Sequence, residues 1–198
     1  MLLTDLQEYN IILASGSPRR QDLLESLGLS FSIFNDIEVD EGFPPELKGA
    51  DITEFLAKKK SEAYTKPMQK NDILITADTI VCQGDDVLLK PHDKADAVSI
   101  LKRISGNSHF VYTGVHIRSN DRHRSFVAAT EVRFGKLSQE EIEYYIDHYK
   151  PYDKAGAYGI QEWIGYVGVE EIRGSYFNVM GLPIHLLYRE LEEFVLTH

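Results

Sequence analysis

The stretch Ile11-Ile12-Leu13-Ala14-Ser15-Gly16-Ser17-Pro18-Arg19-Arg20 constrains the fold more than any other part of the chain. Its apolar run, Ile11 to Ala14, reads as a short buried strand. Ser15-Gly16 is a turn signal. Ser17 is a suitable N-cap, and Pro18 suits the first helical position, where its missing N–H costs nothing. Leu23, Leu24 and Leu27 follow at helical spacing, and Gly28 closes the helix. The reading is strand, tight loop, helix N-terminus.

Two arginines in the first helical turn run against the helix dipole, at a cost of about 0.3–1 kcal/mol each at most. An anion in the loop would account for them. Backbone N–H groups, the hydroxyls of Ser15 and Ser17 and the guanidinium forks of Arg19 and Arg20 would converge on it. The alternative is that both arginines are simply solvated, and spacing alone leaves the two readings open.

The rest of the chain predicts alternating helices and strands. Phe31 to Val39 reads as a strand ending in the acidic knot Glu38-Val39-Asp40-Glu41. Asp51 with Glu54 has the pattern of a capping box for a helix carrying Ile52, Phe55, Leu56, Ala63 and Tyr64, and Pro67 stops it. Ile73 to Ala77 is a buried strand ending at Asp78-Thr79. The chain goes on through Ile80-Val81-Cys82, turns at Gln83-Gly84-Asp85-Asp86 and returns through Val87-Leu88-Leu89 as a hairpin. Asp93 caps a third helix, with Ala97, Ile100, Leu101 and Ile104 on one face. Two long strands, His109 to Arg118 and Ser125 to Phe134, meet at Asn120-Asp121. Ser138 and Glu141 make another capping box, for a helix through Tyr149. Pro151 to Gln161 has no period and many small residues, as a functional loop does. Trp163 to Val169 and Glu171 to Ser175 read as short strands, and a last helix runs through Phe194. The fold class is α/β, with hairpins that make the sheet mixed rather than purely parallel.

Composition removes several function classes. A net charge of −10 over 198 residues argues against general nucleic-acid binding, which needs a basic face. The single cysteine, Cys82, sits in an apolar run and reads as a core residue; one cysteine allows neither an intrachain disulfide nor a cysteine-built zinc site. A reducing compartment is expected, and the first residues do not resemble a signal peptide. No run approaches the roughly 18 apolar residues of a membrane span. The seven histidines lack zinc-binding spacing, and neither GxxxxGK[ST], GxGxxG nor GxSxG is present. Tyr144, Tyr145, Tyr149 and Tyr152 read as packing residues rather than a platform for stacking bases.

Some charged residues are candidates for chemistry. Asp78, at the end of a buried strand, is costly unless paired, hydrated or metal-bound. It could bind Mg²⁺, act as a general base or cap the adjoining turn. Glu38, Asp40 and Glu41 belong to a solvated loop by default, but one of them could supply a second metal ligand. Of Lys58, Lys59 and Lys60, at most one or two can face a site. Lys90, pinned before Pro91, is a better single candidate for a phosphate contact.

These pieces resemble the Maf family of nucleotide pyrophosphatases, collinearly over nearly the whole chain. The matching segments are LASGSPRR (Leu13 to Arg20), Asp40-Glu41, LAKKKSEA around Lys60, ADTIV (Ala77 to Val81) and LLKP ending at Lys90-Pro91. SGNSH (Ser105 to His109), DKAGAYGIQ (Asp153 to Gln161) and GSYFNVMGLP (Gly174 to Pro183) complete the set. The resemblance implies a single domain over residues 1–198 with two lobes around a mixed sheet and an active-site cleft between the lobes. It implies hydrolysis of a nucleoside triphosphate to the monophosphate and pyrophosphate with a divalent cation, Mg²⁺ or Mn²⁺. Asp78 resembles the family's proton acceptor and Glu41 the acidic residue in the same pocket, the two together being candidate metal ligands. Arg19, Arg20, Lys60 and Lys90 resemble its phosphate-binding cations, and Arg19, Thr79 and Gln161 the positions linked to substrate choice. The KAGAYGIQ pattern marks the subgroup that favours dTTP and UTP. Glu162 is a departure, since many members have glycine after the glutamine. The resemblance implies a cytoplasmic house-cleaning enzyme acting on dTTP, UTP and modified pyrimidine triphosphates, with neither nucleic acid nor membrane as partner, and it admits a homodimer. The rival reading is a nucleotide-binding regulator linked to septum formation, which binds the triphosphate without rapid hydrolysis.

Overall fold

A computed structural model describes residues 2–36 and 39–196, and the side chain of Leu3 is outside that description. The chain opens with α1 (Leu2–Asp5), which the sequence reading did not anticipate, and enters β1 (Asn10–Leu13). The loop then feeds α2 (Pro18–Glu25), with Ser17 at the N-cap and Pro18 first in the helix. The Ser17 hydroxyl makes no cap bond; its carbonyl accepts from the Arg20 and Gln21 N–H groups instead. β2 (Phe31–Ile33) is shorter than expected, and Phe34 to Asp36 and Val39 lie outside any strand. Ile37 and Glu38, part of that expected strand and of the acidic knot, lie outside the described residues.

The next helix, α3 (Ala50–Glu62), corrects the expected capping box. Gly49, at φ 47 and ψ −114, is the N-cap, and Asp51 falls inside the first turn. An N-cap side chain accepts from the first-turn N–H groups only from the non-helical residue just before that turn, a place taken by Gly49. β3 (Asp72–Gln83) carries the second correction. It does not end at Asp78 but runs on for five residues, turning at Gly84 into β4 (Asp86–Leu88). Then come α4 (Lys94–Ile104), β5 (Ser108–Arg118), β6 (His123–Phe134) and α5 (Gln139–Tyr149). Asp93 accepts from the Asp96 N–H at 2.8 Å, and the Ser138/Glu141 capping box is fully formed. α6 (Trp163–Gly168) is a helix where a strand was expected, followed by β7 (Val169–Arg173), α7 (Tyr176–Met180) and α8 (Ile184–Leu196).

The sheet has seven strands in the order β2-β1-β3-β5-β6-β7, with β4 paired to β3 off that path. β1 pairs in parallel with β2 and β3, whereas β3–β4 and β6–β7 are antiparallel, so the sheet is mixed as expected. Two compact units share the chain. The first holds residues 1–78, 113–128 and 181–198, and the second holds 79–112 and 129–180.

In the first unit Ile12, Ala14, Phe34, Tyr64 and Leu74 form a small core over β1 and the start of β3. In the second unit Ala97, Ile100, Leu101 and Ile104 of α4 meet Ile142, Tyr145 and Ile146 of α5 and Val132 and Phe134 of β6. Each such large apolar side chain contributes about 1.5–3 kcal/mol of burial. Of the four tyrosines expected to pack, Tyr145 is fully buried and Tyr152 partly so. Tyr144, one position before Tyr145, turns away from the core and stands exposed; Tyr149, the last residue of α5, is also exposed although its ring stacks on that of Tyr145, the centres 5.1 Å apart. Cys82 is buried, as expected.

Candidate active site

In the first unit the β1–α2 loop is held by Arg20. Its Nε donates to the Gly181 carbonyl at 2.7 Å, and one terminal nitrogen donates to the Ala77 carbonyl at 2.9 Å and to the Ser15 hydroxyl at 3.5 Å. Gln21 adds a bond to the Ser15 carbonyl at 3.1 Å. Gly16, at the loop's crest, is exposed, and a side chain built there would meet nothing within 4 Å. Burial pulls the Arg20 pKa down from its ordinary value, opposed by the negative charge of Asp78 and, more weakly, of Glu41. The guanidinium, charged as arginine is in proteins, lies within the field of two carboxylates. Arg19, half-buried, is the other cation of this turn, and its charge also bears on Arg20.

Asp78 sits in the middle of β3 and is 6% exposed. A carboxylate cannot stay ionised inside a strand without a partner. Lys60, in the last turn of α3, supplies one, with Nζ 2.5 Å from Asp78 Oδ1 and 3.2 Å from Glu41 Oε1. The lysines preceding it point elsewhere. Lys59 donates to the carbonyls of Asp40 and Gly42 at 2.7 and 3.0 Å, and Lys58 lies 3.9 Å from Glu62 on its own helix. Two adjacent helical lysines thus hold the acidic loop, one by its backbone and one by the Glu41 carboxylate. Asp40 folds its carboxylate onto the Gly42 N–H at 3.0 Å. Of the acidic knot, Glu41 is therefore the member brought to Asp78, and Glu38 lies outside the described residues.

Among the described residues no three His, Cys, Asp or Glu side chains gather as a metal cage. Asp78 and Glu41 nonetheless converge on one positive point, which the Lys60 ammonium marks. Two carboxylate oxygens of this kind fit a small hard cation such as Mg²⁺, which takes one or two carboxylates and fills its other positions with water and substrate phosphate.

Three further candidates belong to the second unit. Thr79 follows Asp78 on β3 and is half-buried; Lys90 is exposed just beyond β4. Gln161 lies on the turn before α6, and its backbone carbonyl accepts from the Tyr166 hydroxyl at 3.1 Å. The Gln161 side-chain oxygen is shut off from solvent and has no hydrogen-bond partner among the described residues. Sequence reasoning did not single out Tyr145 or Lys154 here. Tyr145 donates to Glu162 and accepts from the Gly159 N–H at 3.0 Å, and Lys154 lies 3.2 Å from Glu162 and 2.7 Å from Asp153. Their signal was the Glu162 departure, a charge beside a loop of small residues.

The architecture is that of a known α/β class. A Ham1 protein from Staphylococcus aureus superposes with a TM-score of 0.53, covering 93% of this chain and 99% of that one at 17% identity. Within that architecture, residues 10–194 match the family model described as Maf-like protein, and the chain belongs to the Maf family. A Bacteroides thetaiotaomicron relative named dTTP/UTP pyrophosphatase is 50% identical over 192 residues, 97% of this chain and 100% of that one. One from Parabacteroides distasonis, with the same name, is 48% identical over 193 residues, 98% and 100% of the two chains.

Proposed function

We propose that this protein hydrolyses dTTP and UTP to their monophosphates and pyrophosphate. The observation that carries the reading is Lys60 clasped by Asp78 and Glu41, in the electrostatic reach of Arg20 on a helix N-terminus. The kinship with relatives named for this reaction, over nearly the whole chain, supports it. A triphosphate carries about four negative charges, so a protein of net charge −10 must gather cations locally to hold it.

In this reading the β1–α2 loop, with Ser15 and Ser17, and the guanidinium of Arg19 receive phosphate oxygens. Arg20 keeps the loop in shape and adds positive charge. Lys60 moves its ammonium from the carboxylates to the phosphates, where it offsets charge building on the leaving pyrophosphate. Asp78 orients the attacking water and takes its proton at Oδ2, the oxygen not engaged by Lys60. A divalent cation held by Asp78 and Glu41 would neutralise charge on the phosphate oxygens. Lys90 is assigned a phosphate contact. Thr79 and Gln161 are assigned to substrate choice, the glutamine amide offering both an acceptor and a donor to the N3–H and O4 edge that thymine and uracil share. A single buried, unpaired cysteine suits a cytoplasmic setting.

The test is pyrophosphate release from a panel of canonical and modified nucleoside triphosphates, with Mg²⁺ and with EDTA. Wild type should release pyrophosphate from dTTP and UTP with metal only, and Asp78→Asn should lose roughly 10²–10⁴ of kcat while remaining folded by circular dichroism. Release at near-normal rate by Asp78→Asn would reject the base assignment. Silence of the wild type across the panel would reject the activity.

A further inference from the structure

Gln161 is followed by a glutamate, and that glutamate is built into the protein. Glu162 places Oε1 3.2 Å from Lys154 Nζ, and its Oε2 accepts from the Tyr145 hydroxyl. Both partners are nearly shut from solvent: Tyr145 is 0% exposed and the Lys154 side chain 9%. The same Tyr145 oxygen accepts from the Gly159 N–H at 3.0 Å, so one hydroxyl joins α5 to two points of the loop. Burial, together with the Glu162 carboxylate, pushes the Tyr145 pKa far up, which keeps the proton on the tyrosine and the direction of that bond constant.

The loop is closed on itself around this anchor. The Glu162 N–H donates to the Gly159 carbonyl at 3.0 Å, and the Glu162 carbonyl accepts from the Gly165 N–H at 2.9 Å. A Cβ at position 159 would stand 2.8 Å from the Glu162 carboxyl carbon, and one at position 165 only 1.8 Å from the Ile160 carbonyl oxygen. At position 165 the wound backbone itself excludes a side chain, and at 159 one would have to displace the Glu162 carboxylate. Gln161 lies within this turn with its backbone carbonyl taken by Tyr166, while its side-chain oxygen has no partner among the described residues. A buried acceptor left unmet is costly, and turning the amide to meet a donor from outside the protein would relieve it.

We infer that Glu162, gripped by Tyr145 and Lys154, is a positioning residue that sets the orientation of Gln161 and through it the preference for a uracil or thymine base over cytosine. The inference rests on the role proposed above for Gln161. Cytosine has no proton on N3 and carries an amino group at position 4, so a fixed acceptor–donor pair discriminates against it, and a loosened one does not.

The experiment measures equilibrium binding of the α,β-methylene analogues of UTP and CTP, so that no turnover is needed. In Glu162→Ala the UTP/CTP affinity ratio should fall by about tenfold. Glu162→Gln, which still accepts from Tyr145, should hold it within about threefold. Tyr145→Phe keeps the ring in place and removes the hydroxyl, and it should reproduce the loss. Gln161→Ala should lose the same discrimination, and Gln161→Ala with Glu162→Ala should lose no more, because both changes act through one contact. An unchanged ratio in both Glu162→Ala and Tyr145→Phe, or losses that multiply in the double variant, would overturn the inference. Wild-type pyrophosphate release, run in parallel, tests the proposed activity separately: absent release with an intact UTP preference rejects that activity alone. A wild type with no preference between the analogues overturns the inference.

Discussion

Lowering the pH should weaken this protein through His109, and the size of the effect follows from where the ring lies. His109 is 1% exposed, its ring centre 5.7 Å from that of Phe134 and 5.4 Å from that of Tyr158. Its Nε2 bonds the Tyr158 hydroxyl at 2.7 Å, and Nδ1 finds no partner among the described residues. Burial pulls its pKa from 6.5 down to about 4. The unfolded chain therefore takes up a proton near pH 6.5, while the folded protein keeps the ring neutral until about pH 4. Stability is complete above pH 6.5, falls between there and pH 4, and levels off below. The gap corresponds to roughly 3 kcal/mol, a large part of a typical folding free energy. The assay is urea unfolding of wild type and His109→Phe at steps from pH 7.5 to 4. Removing the imidazole also strands the Tyr158 hydroxyl, at about 1–3 kcal/mol at every pH. The offset between the proteins is therefore uninformative and the slope carries the test. His116, pulled down to about 4 by burial and then by His123, Arg118 and Lys58, titrates in both proteins and cancels. A stability difference that stays flat from pH 6.5 to 4 would refute the reasoning.

Other substitutions follow from single contacts. Arg20→Lys loses the Nε bond to Gly181 and the fork to Ala77, so it should cost about 2–3 kcal/mol and lower the melting temperature by roughly 5–10 °C, besides raising KM; an unaltered melting temperature would show that those bonds carry no weight. Gly165→Ala forces the α6 backbone away from the Ile160 carbonyl and should cost several-fold in KM for UTP, read from initial rates, with pyrophosphate release from inorganic triphosphate changed less. Lys60→Ala leaves Asp78, 6% exposed, without its ammonium, and should destabilise by about 3 kcal/mol at pH 7, read from urea unfolding; an unchanged midpoint would argue against it.

What the sequence disclosed about this fold was chiefly local. The start and the buried face of α4 were legible, because an N-cap aspartate and a 3–4 spacing of apolar residues are properties of one helix. The same holds for the Ser138/Glu141 box of α5. α6 was misread because Trp163, Ile164, Tyr166 and Val167 favour strands in isolation. The helix arises from the contact of Gly165 with Ile160, which no propensity registers. β3 was cut short at Asp78 because a charge interrupting an apolar run looks like an end. The strand passes through because a lysine eighteen residues earlier neutralises that charge. The candidate site follows the same division. The arginine turn could be read from ten consecutive residues, but the meeting of Glu41, Lys60 and Asp78 depends on three elements packing. It entered the sequence reading only through family resemblance.

Arg20 binds the carbonyls of Ala77 and Gly181, residues 57 and 161 positions further along the chain. One guanidinium thus closes long sequence separations within the first unit while standing in the loop assigned to phosphate. Selection acting on that loop cannot treat folding and substrate affinity as separate traits. A variant population passing through position 20 would show its losses in protein abundance before any enzyme could be purified for kinetics.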